Sequence, residues 1–101
     1  MDPGRSEIFI ADVVETIAGR DAGQLFYVTS LEQEYLYLVN GKDRTLEKPK
    51  LKKRKHIQKV LRSETRVAEK LRAGDKVLNS ELRRDLASLS RDMQSDDLGG
   101  F

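Results

Sequence analysis

Three runs rich in β-branched and aromatic residues, followed by two weaker ones, fill residues 8–62, broken by turns, a proline or short polar connections. Punctuation this dense leaves room for strands and little for a helix of ordinary length. The first run, Ile8-Phe9-Ile10-Ala11-Asp12-Val13-Val14-Glu15-Thr16-Ile17-Ala18, lacks the three-to-four spacing of an amphipathic helix. Gly19-Arg20-Asp21-Ala22-Gly23 then supplies two glycines able to take positive φ. Leu25-Phe26-Tyr27-Val28-Thr29-Ser30-Leu31 and Tyr35-Leu36-Tyr37-Leu38-Val39 read as the second and third strands, the third closed by the hairpin dipeptide Asn40-Gly41. Asp43-Arg44-Thr45-Leu46-Glu47 is expected to form a short fourth strand, interrupted by Pro49, and Lys55-His56-Ile57-Gln58-Lys59-Val60-Leu61 a fifth. Short antiparallel neighbours joined by tight turns predict a small closed barrel, because closure removes exposed sheet edges. Its expected interior is Val14, Ile17, Phe26, Val28, Leu36, Leu38 and Ile57.

The pattern changes after residue 62. Ser63 is placed to cap a short helix carrying Val67, Ala68 and Leu71 and ending at Gly74. Asn79 or Ser80 is placed to cap a second, on which Leu82, Leu86, Leu89 and Met93 share one face. Such a stripe packs on the barrel or the first helix, or it docks a protein partner. The expected organisation is a flexible N-terminus over residues 1–7, a barrel over 8–62, a helical tail over 63–93 and a disordered end over 94–101. The fold class is thus mostly β with an α tail.

The overall net charge of +2 conceals a strong asymmetry: residues 1–41 carry a net −5, residues 42–62 a net +8 and residues 63–101 a net −1. Within the basic segment, seven of the nine residues of Lys48-Pro49-Lys50-Leu51-Lys52-Lys53-Arg54-Lys55-His56 are Lys, Arg or His. Cations packed this closely repel one another, and a polyanion that releases counterions on binding relieves the repulsion. The alternative is a solvated surface loop. Pro49 and the single apolar Leu51 argue against an amphipathic membrane helix. No apolar run is long enough to span a bilayer, and the polar N-terminus is unlike a secretory signal, so a cytoplasmic address is expected.

The chain has no cysteine and one histidine, His56, which leaves no thiolate or transition-metal constellation. The carboxylates are scattered and no nucleophile motif is present, so neither catalytic residues nor a metal, a cofactor or a small-molecule substrate is expected. The glycine spacing of the turn at 19–23 fits neither a dinucleotide fingerprint nor a nucleotide-hydrolase phosphate loop.

The segment from Val13-Val14 through Gly19-Arg20-Asp21-Ala22-Gly23 to Val28 resembles a KOW motif, the strand-loop-strand unit of ribosomal proteins and transcription elongation factors. Extended through Tyr35-Leu36-Tyr37-Leu38-Val39-Asn40-Gly41 and the basic run to Ile57, residues 8–62 are similar to small bacterial KOW proteins related to an archaeal and eukaryotic large-subunit ribosomal family, the fourteen-e type. The resemblance implies an SH3-like barrel that contacts RNA. Two features depart from the family: Asp12 and Glu15 place acid in the first strand, and the tail from Ser63 onward maps onto nothing in the ribosomal family. From the acid in the first strand and the net negative charge of residues 1–41, one side alone is expected to bind.

The leading expectation is a non-catalytic RNA-binding module, associated with the ribosome or another structured RNA. Its contacts would come from Arg20, Lys42, Arg44, Lys48, Lys50, Lys52, Lys53, Arg54, Lys55, His56 and Lys59, with Gly19, Asp21 and Gly23 shaping a turn that lets the backbone approach a phosphate. The turn glycines equally satisfy a plain turn requirement. Tyr27, Tyr35 and Tyr37 either stack bases or fill and flank the core. The alternative function is a protein-interaction adaptor using the barrel or the stripe of Leu82, Leu86, Leu89 and Met93.

Overall fold

The computed structural model describes residues 7–99 apart from residue 21, with side chains through Met93. Its elements are β1 (Asp12–Thr16), β2 (Leu25–Leu31), β3 (Tyr35–Val39), β4 (Lys50–Lys53), a 3₁₀ turn (Arg54–His56), β5 (Ile57–Arg62), α1 (Arg66–Ala73) and α2 (Asn79–Gly99). The strands form one antiparallel sheet in the order β4-β3-β2-β1-β5. Strands β4 and β5 thus sit at opposite ends of the sheet, yet only the three residues of the 3₁₀ turn separate them. The four chain steps from Lys53 to Ile57 reach at most about 14 Å. A flat five-stranded sheet would hold its edges about 19 Å apart. The sheet must therefore curl, and the small barrel-like β fold followed by helices matches the class expected from the sequence.

Curling gives the sheet an inside. Val14, Phe26, Val28, Leu36, Leu38 and Ile57, with Ile8 closing one end, form the interior core. Ile17 is not part of it; the side chain is 51% exposed. Alternation explains this correction, because Val14 and Thr16 point inward, so Ile17, one residue past the strand, points out.

The second core lies outside the barrel. Val13, Tyr27 and Val39 project from the other face of β1–β3 and meet Val67, Ala68, Val77, Leu82 and Leu86 from the tail. The leucine stripe therefore packs within the chain: Leu82 and Leu86 are buried, and Leu89 packs half-buried against them. At its centre the Tyr27 hydroxyl donates to the Asp85 carboxylate and lies 2.9 Å from the Ser63 hydroxyl, while Thr65 Oγ1 donates to Asp85 at 2.9 Å. Burial, reinforced by the bond to Asp85, pushes the Tyr27 phenol up to about 12.

Several local expectations give way to tertiary demands. Asn40-Gly41 does not close a two-residue hairpin, and the next strand is Lys50–Lys53, beyond Pro49, with only a Thr45–Lys48 bridge in the expected fourth strand. Gly41, at φ 78°, instead lies beneath the start of α2, where an added Cβ would come within 2.2 Å of the Asn79 carbonyl oxygen. Thr65, not Ser63, caps α1 by accepting from the Ala68 amide, while Gly74 ends the helix as expected. The helix α2 starts at Asn79, so Asn79 and Ser80 are its first residues and do not precede it; the Asn79 amide accepts the Leu46 N–H and donates to Glu47, tying down the 40–49 loop. Helix backbone continues to Gly99, past the expected end at 93. The expected flexibility of residues 1–6, and residues 100 and 101 of the expected disordered end, lie outside the described residues.

Gly41→Ala is expected to lower stability by roughly 2–4 kcal/mol, from overlap with α2 and from positive φ, measured by urea denaturation. The Tyr27 phenol gives a second test. It ionises near its ordinary 10.0 when unfolded and near 12 when folded, so between those pH values only the unfolded chain releases the proton. Stability should fall by roughly 2–3 kcal/mol across that window and be insensitive to this group below it. Denaturation at pH 9 and 11.5 checks the decline, and Tyr27→Phe should remove this part of it.

Candidate nucleic-acid interface

The basic run is built into the barrel as its edge strand and closing turn. Within β4, Lys50 and Lys52 stand opposite Leu38 and Leu36, on the inward face, whereas Leu51 and Lys53 stand opposite Tyr37 and Tyr35 on the outward face. Strand alternation thus divides a run that the sequence presents as uniform. Lys50 and Lys52 are half-buried at the barrel mouth, where burial and the neighbouring Lys52 charge hold the Lys50 ammonium below its ordinary range. Lys52 is not solvated in the way its neighbours suggest. Its ammonium donates to the Ala18 carbonyl at 3.4 Å and lies 3.6 Å from the place where a Cβ on Gly19 would be.

That contact joins the basic run to the 19–23 turn. Gly19 and Gly23 have φ of 87° and 90°, and the turn is closed by Gly23 N–H to the Thr16 carbonyl at 2.8 Å. Positive φ at both positions explains the glycines on conformational grounds alone. Arg20 projects exposed beside them, and Asp21 lies outside the described residues.

Beyond β4, the Arg54 N–H donates to the Glu34 carbonyl at 2.7 Å and its guanidinium reaches the Glu32 carbonyl at 3.4 Å. Lys55 is exposed, and half-buried His56 accepts the Ile17 N–H on its backbone carbonyl at 2.9 Å. On the outward face Lys53 lies 6.0 Å from the centre of the Tyr35 ring. Tyr37 donates its hydroxyl to Glu32 at 3.0 Å, which pushes its phenol pKa up. Tyr35 and Tyr37 are both half-buried on this face, whereas Tyr27 is fully enclosed and unavailable for stacking. Beside the 3₁₀ turn runs an open groove of about 830 Å³, floored by Ile8, Ile17 and Ile57 and rimmed by Lys53, Arg54 and Lys55.

Not every expected cation belongs to this surface. Lys59 is paired with buried Asp12 at 3.1 Å and also donates to the Glu7 carbonyl, so it serves the barrel end. Asp12 further accepts from the Phe9 N–H at 2.8 Å. Lys48 is exposed just before β4. Lys42 and Arg44 belong to a separate loop whose amides are held by the Asn40 side chain, and Lys42 shares a shallow depression with Arg83 of α2. Arg83 escaped sequence reasoning because only tertiary packing brings the helix to that loop. The same applies to Ile17, which the sequence places inside. Leu82 and Leu86 are committed to the second core and offer no partner surface; Leu89 and Met93 are half-buried.

Among the described residues no cluster of His, Asp and Glu is placed to hold a metal ion, and no helix is long and apolar enough to cross a membrane. No protein-family model matches the chain, and no curated protein matches it.

Lys59→Met is expected to lower stability by about 3 kcal/mol, because it leaves the buried Asp12 carboxylate uncompensated. Lys55→Met, at an exposed site, should shift stability by less than about 0.5 kcal/mol. Urea denaturation of both variants at neutral pH separates the structural lysine from the exposed one.

Proposed function

We propose that the chain is a non-catalytic RNA-binding module, acting in the cytoplasm on ribosomal or other structured RNA. The observation that carries this reading is the meeting of Lys52 with the Gly19 turn, which brings together two segments 33 positions apart in sequence. Arg20 in the turn and Lys48, Lys53 and Lys55 in the basic segment are exposed. Phosphate contacts of this kind position a protein on RNA without demanding a particular sequence. The resemblance of residues 8–62 to KOW proteins points the same way. Asp12 is buried and paired with Lys59, so it sets no acid against an anionic partner.

If about five phosphates are neutralised, log affinity for a structured RNA should fall against log salt with a slope of roughly −4. A fourfold rise in salt then weakens binding several-hundred-fold. Replacing Arg20, Lys48, Lys53 and Lys55 together with Gln should flatten the slope by about three. Lys52 and Lys59 are left intact so that the barrel is undisturbed. Fluorescence anisotropy of a labelled RNA hairpin measures both slopes, and a folded quadruple variant that keeps the original slope would place the site elsewhere.

A further inference from the structure

We infer that the groove beside the 3₁₀ turn receives an unpaired nucleotide of single-stranded RNA, its base against Ile17 and its phosphates on Lys53 and Lys55. The inference rests on the RNA-binding reading and adds which form of RNA the surface takes. Ile17 is the anchor. It points out of the barrel and is 51% exposed, and it lines the groove together with buried Ile8 and Ile57. An apolar floor inside a cationic rim is ill suited to a duplex. A helical backbone would meet the lysines with phosphates but keep its bases stacked away from the floor, leaving Ile17 wet. An unpaired base covers that floor and places its own phosphate at the rim.

The remaining lining fits the same occupant. Gln33 and Gln58 border the groove, and each carboxamide offers a donor and an acceptor, as base edges require. An acidic side chain would bring acceptors only. Arg54, held by its bonds to the backbone of Glu32 and Glu34, adds a planar guanidinium of the kind that stacks on bases. Four cations line the groove, Lys53, Arg54, Lys55 and Lys59, against one carboxylate, Glu34. With Lys59 paired to buried Asp12, the remaining three still leave the charge complementary to an anionic strand. The volume of about 830 Å³ falls within the range of small-ligand sites and accommodates a nucleotide.

The test compares a fluorescein-labelled oligouridine strand with a blunt RNA duplex of equal length, using the full chain at one salt concentration. The single strand should bind at least tenfold more tightly. Ile17→Ser should weaken single-strand binding about tenfold while leaving the salt slope, the duplex affinity and the thermal midpoint unchanged. Equal or tighter duplex binding, or an Ile17→Ser variant with wild-type affinity, overturns the inference while a steep salt slope keeps the RNA-binding reading. Displacement of the strand by polyglutamate at equal charge concentration overturns it in favour of an acidic peptide. Failure to bind either RNA overturns both.

Discussion

The short link between β4 and β5 governs the rest of the molecule. Three residues join strands that lie at opposite ends of the sheet, so the sheet has no flat alternative. Curling creates the interior filled by Val14, Phe26, Leu36 and Leu38, and it turns the other face of β1–β3 outward as a platform for the tail. It also fixes where positive charge must go. The linking residues are Arg54, Lys55 and His56, so the closure of the barrel and the densest cationic segment are the same piece of chain. Side chains there have little freedom to retreat from the surface, because the backbone is held by bonds to Glu34 and Ile17.

The tail is an integral second layer. Its leucines complete a core that a sheet of this size could not complete alone, since small domains bury a modest share of their surface. Within that apolar layer, Tyr27, Ser63, Thr65 and Asp85 satisfy one another. Such a polar cluster supplies direction where hydrophobic contact supplies none: α2 can slide along an oily face, but Asp85 meets the Tyr27 hydroxyl in only one position.

Much of the fold was legible because β periodicity and glycine placement are local signals. The first three strands, the 19–23 turn, Gly74 as a helix end and six of the seven interior residues can be read along the chain. What escaped was whatever depended on contacts distant in sequence. Asn40-Gly41 has hairpin chemistry, yet its glycine is needed under α2. Ser63 and Asn79 have capping chemistry, yet Tyr27 and the 40–49 loop claim them. The candidate site was legible as composition and much less as geometry. A run of lysines shows its charge in the sequence, but its division into inward Lys50 and Lys52 and outward Lys53 is set by pairing with β3. Lys59 is indistinguishable from its basic neighbours along the chain, and its structural role is set by Asp12, 47 positions earlier.

The edge strand has a further consequence. Three of the four residues of β4 are lysines, and its free side is the place where another chain could add a strand. Charge repulsion between like edges opposes the pairing of one copy with another. The safeguard is electrostatic, so it weakens when those charges are screened or neutralised. Colloidal stability thus rests on a few ammonium groups, and the charge that marks the strand in the sequence is also what keeps it from adhering to itself.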